Sequence, residues 1–169
     1  MKRLAFIALG LLFFGQGCSD RLGQMQAQMS GNWVLESRTL PDGTVLRPPQ
    51  VQGAISWIPV TSRKAHVSLN REMAAQDGTP RRFDYAVSLY EISTSAITQA
   101  RHILIRQGYR SSAEAPFSFY HKAKKAKGKI SVREDGIEIS HDKQSWVFSG
   151  DKMVASYDDF WTDTWHRVP

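Results

Sequence analysis

The sequence contains a single cysteine, Cys18, among 169 residues. One cysteine excludes an internal disulfide framework, a Cys-x-x-Cys redox pair and a metal site built from several thiolates. Long apolar runs are also missing, because the one sustained run covers only residues 4–14 and a membrane-spanning helix needs roughly 20 such residues. A polytopic membrane protein is therefore excluded.

Motifs of known enzyme chemistry are missing as well. The sequence has no Gly-x-Ser-x-Gly elbow, no His-Glu-x-x-His motif and no glycine-rich phosphate loop. Its histidines show no metal-ligand spacing; they are His66, His102, His121, His141 and His166. We therefore expect no cofactor, no metal and no enzymatic activity, with a barrel enzyme acting on a lipid-like substrate as the remaining alternative. The acids Asp158, Asp159 and Asp163 are expected to form a surface turn rather than a calcium loop.

The composition is that of one globular domain, with 41% hydrophobic and 22% charged residues. The formal net charge of +6 indicates anionic partners without identifying one.

The first eighteen residues have the layout of an export signal. Lys2 and Arg3 precede the apolar run, and small residues at 15–17 precede Cys18. This arrangement resembles a bacterial lipobox, in which the cysteine receives diacylglycerol, the chain is cut before it, and the new amino end is acylated, commonly with palmitate. Gly15 stands where a lipobox usually has an aliphatic residue. The alternative is an ordinary secretory peptide that leaves a free thiol.

Lipidation would fix the location of the protein, because several acyl chains hold a protein stably on a membrane. Ser19 after the cysteine resembles an outer-membrane address. We therefore expect a lipid-anchored protein of the bacterial cell envelope, on the periplasmic face of the outer membrane rather than at the inner membrane. The expected organisation is a signal peptide at 1–17, a lipidated tether at 18–29 and one domain at 30–169.

The remainder of the chain alternates apolar and polar residues with period two, between turn signals. These signals include Pro41-Asp42-Gly43, Asp135-Gly136 and Gly150-Asp151. Residues 96–107 carry both a helical and a strand pattern, and we favour a strand because both flanks are strand-like. The pattern predicts an all-β, antiparallel up-and-down barrel of about eight to ten strands.

Two short motifs at the ends of this domain resemble those of the lipocalin and calycin family. Gly31-Asn32-Trp33 opens the first strand, and Thr164-Trp165-His166-Arg167 closes the last. The surrounding residues resemble bacterial lipocalin-like domains. The resemblance implies that Trp33 covers one barrel end and that Arg167 stacks on its ring, a contact that contributes ~0.5–2 kcal/mol when desolvated.

The resemblance also implies a carrier of a small hydrophobic or amphipathic ligand. The interior residues expected to contact that ligand are Phe83, Tyr85, His102, Arg106, Phe117, Phe119 and His121. The alternative is a barrel filled by its own side chains, which would serve as a protein-interaction or inhibitor module of the periplasm.

A lysine-rich stretch is the largest charge feature, comprising Lys122, Lys124, Lys125, Lys127 and Lys129. It would attract anionic lipid headgroups at the anchoring membrane. The alternative is a solvated loop that keeps a sheet edge from pairing. Nucleic acid is not an expected partner, because the location is extracytoplasmic and no aromatic-rich RNA motif accompanies the lysines.

Overall fold

The computed structural model describes residues 14–74, 82–107, 117–141 and 143–169, with the side chains of 14–20, 82, 106–107 and 117–123 outside that description. Within these residues the chain forms one helix followed by eleven strands: α1 (Phe14–Met29), β1 (Gly31–Thr39), β2 (Val45–Leu46), β3 (Val51–Thr61), β4 (Lys64–Met73), β5 (Arg82–Ile92), β6 (Ala96–Gln107), β7 (Phe117–Arg133), β8 (Gly136–His141), β9 (Gln144–Ser149), β10 (Lys152–Tyr157) and β11 (Trp161–Val168).

The strands form a closed antiparallel barrel. From β3 to β11 each strand pairs with the next in sequence, and β1 closes the ring by pairing with both β3 and β11. The two-residue β2 pairs with the end of β1 that β3 leaves free. The predicted all-β barrel is confirmed: ten strands form the ring, an architecture consistent with a lipocalin or calycin barrel.

Two ambiguous segments are strands. Residues 96–107 pair along their length with β5, as we expected from their flanks. The lysine-rich stretch lies inside β7, which pairs with β6 on one side and β8 on the other. The stretch is therefore a strand and not the loop of our alternative. Of its lysines only Lys129 also has a partner on β8, so β7 from Lys124 to Lys127 has no described strand partner on that side.

The turn between β1 and β2 lies at Pro41-Asp42-Gly43, where the sequence predicts it. Gly43 has a φ of 85°, a left-handed conformation that glycine adopts without steric cost. The Thr44 amide donates to the Asp42 carboxylate at 2.9 Å, and this hydrogen bond lowers the pKa of Asp42 because it stabilises the charged form.

Helix α1 covers one end of the barrel, which we call the helix end. The side chains buried there follow helical spacing along one face; they are Leu22, Met25, Gln26 and Met29. The Gln26 amide donates to the carbonyls of Thr61 and Lys64, in the turn between β3 and β4, and accepts from Trp57 Nε1 at 3.2 Å. Residues 22–29 of the segment expected to be a tether thus pack on the barrel. Among the described helices there is none with the length and apolarity to cross a membrane.

Beneath the helix lies an aromatic layer, composed of Trp33, Trp57, Tyr90, Trp146 and Phe148. Ring centroids of Trp57 lie 5.0 Å from Tyr90 and 5.9 Å from Phe148, and Trp33 lies 5.6 Å from Phe148. Such offset and edge contacts add to the free energy gained from burial. Packing is tight enough that a Cβ at the neighbouring Gly128 would come within 2.7 Å of His141 Cβ.

Candidate functional site

Burial alternates along β5 and identifies its inner face. Buried Asp84, Ala86, Ser88 and Tyr90 alternate with half-buried Phe83, Tyr85, Val87 and Leu89. Our expectation that Phe83 and Tyr85 line the interior is therefore wrong. Alternation of residues along a strand assigns them to two faces but does not say which face is inside. Here the more polar set faces inward, because its side chains form hydrogen bonds and ion pairs inside the barrel.

Among the other expected ligand contacts, only His102 has a side chain within the described residues. His102 is exposed at the irregularity between β6 and β7. Arg106 lies opposite Asp84 in the β5–β6 register, and Phe117 and Phe119 lie opposite Ile105 and Ile103 in the β6–β7 register. The side chains of Arg106, Phe117, Phe119 and His121 are outside the described residues.

The contact between Trp33 and Arg167 that we predicted is present at the helix end. The Arg167 guanidinium carbon lies 4.7 Å from the Trp33 ring centroid, within the range of a cation–π contact. Arg167 Nη2 also donates to the Gln28 carbonyl at 2.5 Å, and Trp33 Nε1 donates to the Met29 carbonyl at 3.1 Å. Both side chains therefore join the last strand and the first strand to α1.

A buried ionic cluster, comprising Arg38, Arg71, Asp84 and Asp163, crosses the barrel on the other side of the aromatic layer. Arg38 Nε and Nη2 donate to the two oxygens of Asp163 at 2.6 and 2.8 Å. Arg71 donates to Asp163 at 3.3 Å and to Asp84 at 2.5 Å. All four residues are at most 3% exposed. The expected surface turn at Asp163 is therefore wrong for this residue, which is fully buried.

Two aromatic rings complete the ionic cluster. Tyr157 and Trp161 stack on each other with centroids 5.2 Å apart. The Arg38 guanidinium carbon lies 4.5 Å from the Trp161 centroid, and that of Arg71 lies 4.8 Å from the Tyr157 centroid. The two arginines are therefore held by carboxylates in one direction and by π faces in another.

The ionic cluster was missed because its members look like surface residues in sequence. A β-bulge between Leu35 and Ser37 shifts the alternation of β1, so that Arg38 faces inward opposite Asp163. Arg71 and Asp84 are direct cross-strand partners of β4 and β5. Arg71 continues the inward series of Val67 and Leu69, a signal that the sequence did offer.

A cavity of about 20 Å³ lies between the aromatic layer and the ionic cluster. It holds water-sized occupants, whereas sites for drug-sized molecules usually measure ~300–1,000 Å³. Its polar lining includes Asp84, Ser88, Tyr90, Gln99, Arg101, Gln144 and Tyr157. Burial raises the pKa of Tyr90, so its hydroxyl stays protonated.

The outward-facing side chains of β5 and β6 form an outer apolar face, comprising Phe83, Tyr85, Val87, Leu89, Ile103 and Ile105. All are half-buried. Val87 lies opposite Ile103, and Tyr85 lies opposite Ile105, so the side chains form continuous rows across the two strands. Phe83 and Tyr85, two of the residues that we assigned to a ligand cavity, thus lie on the outside.

A lysine row borders the outer apolar face. It consists of Lys125, Lys127 and Lys129, which are exposed and share one face of β7. Lys125 lies opposite Ala100, which in turn lies opposite Leu89. Lys124 is also exposed, and the Lys122 side chain is outside the described residues. Positive charge therefore begins in the same cross-strand row where the outer apolar face ends.

Cys18 lies within α1, with its side chain outside the described residues. In the part of the chain that the structure describes, no three acidic, histidine or cysteine side chains are grouped as metal ligands. Comparison with family models, with curated proteins and with solved structures found no match to this chain.

Proposed function

We propose that this chain is a lipid-anchored protein of the bacterial envelope whose filled barrel binds another protein through the outer apolar face. The anchor is Cys18, acylated after removal of residues 1–17. The proposal places the lipocalin-like domain at the periplasmic surface of the outer membrane, and it takes an interaction or inhibitor role rather than an enzymatic one.

The observation that carries the proposal is the position of the apolar side chains. In a carrier, the apolar surface that binds the ligand lines the interior. Here the described interior of the barrel is occupied by the aromatic layer and the ionic cluster, leaving about 20 Å³ between them. Six apolar side chains without an interior role lie together on the outer apolar face, while the most exposed single ones, such as Ile58 and Phe160, lie elsewhere on the barrel. Contiguous apolar surface of this kind is typical of protein-binding sites.

The lysine row indicates the chemistry of the partner. A protein that buries its own apolar side chains on β5 and β6 would meet these exposed lysines at the edge of the contact. Acidic side chains at that edge would favour association, mainly by raising its rate and specificity. We therefore propose a partner that presents apolar side chains bordered by carboxylates.

One observation favours a carrier as the second candidate. The cavity is polar and contains Arg101, which would suit the charged group of an amphipathic ligand. Its volume is more than tenfold below that of usual small-molecule sites. A ligand would therefore have to displace side chains of the interior.

Site-specific photo-crosslinking in living cells tests the proposal. The full chain carries benzoylphenylalanine in place of Leu89, on the outer apolar face, or in place of Val154, an outward residue of β10. We expect a discrete protein adduct at position 89 and none at position 154. Val87→Glu should reduce the adduct at position 89, because the partner would have to bury a carboxylate.

Three results would count against this proposal. One is equal adduct formation at positions 89 and 154. Another is an adduct of twice the mass of the chain, which would identify a second copy of this protein as the occupant. The third is retention of the adduct in Val87→Glu when circular dichroism shows that this variant is folded.

A further inference from the structure

One guanidinium that lines the cavity, that of Arg101, forms no ion pair with a described carboxylate. Within the ionic cluster, two arginines face two carboxylates. Arg101 adds a third guanidinium, and no described carboxylate lies within ion-pair distance of it. Its Nη2 donates to Gln99 at a long 3.4 Å, and its buried Nε has no hydrogen-bond partner among the described residues. Arg101 as a whole is half-buried. A partly buried charge without a counter-charge is still costly, so a bound ion of opposite sign would stabilise the fold.

We propose that the cavity beside Arg101 binds a small inorganic anion of the size of chloride. Arg101 supplies the charge. Hydroxyl groups lining the same cavity, on Ser88 and Tyr90, supply further donors. This site is independent of the protein partner proposed above.

The size of the cavity selects among anions. About 20 Å³ is enough for a water-sized occupant and too little for a sulfate, a phosphate ester or an acyl chain. The neighbouring carboxylate is already held, because Asp84 accepts from Arg71 at 2.5 Å. The Ser88 hydroxyl accepts from Gln99 at 3.0 Å, which leaves its own hydrogen free to point to an anion.

The position of Arg101 along β6 also favours an anion. In the β6–β7 register Arg101 lies opposite the exposed Lys124. The two positive charges add to the potential that draws an anion toward this part of the barrel.

Thermal unfolding of the full chain in nonionic detergent tests the proposal. Chloride replaces gluconate stepwise at constant ionic strength, so that general screening stays the same. We expect the Tm of the wild type to rise by about 2–4 °C and to saturate, as binding to the folded state requires. The same increments should leave the Tm of Arg101→Gln unchanged. The control Arg63→Gln, which changes an exposed arginine of the β3–β4 turn, should respond like the wild type.

Two further measurements keep the test decisive if Arg101→Gln does not fold. Ala86→Ile fills the cavity from another wall while retaining Arg101, and it should abolish the chloride response. The ³⁵Cl NMR line should broaden with the wild type and sharpen when bromide competes. A wild-type Tm that does not depend on chloride, or a line that stays narrow, would overturn the proposal.

A test with a medium-chain carboxylate distinguishes two possible occupants of the site, a free anion and the charged headgroup of an amphiphile. Decanoate, added below its micellar concentration, should neither raise the Tm of the wild type nor restore a narrow ³⁵Cl line. If decanoate does both, the anion at Arg101 is the headgroup of a bound amphiphile. That result would overturn the small-anion proposal and favour the carrier function.

Discussion

Replacing Asp163 by asparagine is the sharpest test of the ionic cluster. The carboxylate is fully buried and accepts hydrogen bonds from Arg38 at 2.6 and 2.8 Å and from Arg71 at 3.3 Å. Asparagine keeps the shape but removes the charge, so Arg38 loses the carboxylate of its ion pair while Arg71 keeps that of Asp84. Breaking a buried ion pair in this way costs ~3–5 kcal/mol, against a total stability of ~5–15 kcal/mol for a typical domain.

The assay is urea unfolding of the full chain in nonionic detergent, followed by tryptophan fluorescence. We expect Asp163→Asn to lower the free energy of unfolding by ~3–5 kcal/mol. The matched control is Glu91→Gln, which breaks the exposed ion pair between Glu91 and Lys64, where the charged atoms lie 3.5 Å apart. Exposed pairs contribute ~0–1 kcal/mol, so this variant should unfold close to the wild type.

A second substitution separates electrostatics from packing. In the Asp163→Asn background, Arg38→Met removes one unbalanced charge and keeps apolar contact with Trp161, so the double variant should be more stable than Asp163→Asn alone. The reasoning is refuted if Asp163→Asn costs no more than Glu91→Gln, or if Arg38→Met destabilises the protein further in the Asp163→Asn background.

Three other predictions concern the helix end and the interior. Arg167→Gln should lower the free energy of unfolding by ~0.5–2 kcal/mol, because the contact with the Trp33 ring is lost; an unchanged urea midpoint would contradict this. Gly128→Ala should lower the free energy of unfolding by ~1–3 kcal/mol, since a Cβ there would lie 2.7 Å from the Ser140 carbonyl oxygen. An unchanged free energy of unfolding would contradict this, because it would mean that neighbouring atoms move aside without cost. Burial raises the pKa of the Tyr90 hydroxyl. Above pH ~10 the unfolded state therefore loses a proton that the folded state keeps, and the free energy of unfolding falls as pH rises. Tyr90→Phe should flatten that decline in alkaline unfolding curves.

The fold could be predicted because the turn residues, the period-two alternation and the end motifs each constrain the local structure independently of the others. The turn at Gly43 requires a positive φ, which the structure has at 85°. Period-two alternation from residue 64 to residue 70 places Ala65, Val67 and Leu69 in the core. The end motif containing Trp33 placed this ring at a barrel end, in contact with the last strand.

The interior could not be predicted to the same extent, because alternation does not say which face is inside. On β5 the more apolar set, with Phe83 and Tyr85, faces outward, while Asp84 and Ser88 face inward. Asp84 is stabilised inside by Arg71, a residue of the neighbouring strand. On β1 a bulge adds one residue and turns Arg38 inward. The residue pattern of the sequence does not predict this bulge.

Native mass spectrometry of the full-length protein, expressed in its own host and purified in nonionic detergent, tests the central claim most directly. A filled barrel predicts a mass that corresponds to the polypeptide and the acyl groups on Cys18, with no lipid released on gentle activation. A noncovalent molecule of lipid size that dissociates from the wild type would contradict the account, because the cavity between the aromatic layer and the ionic cluster measures only about 20 Å³.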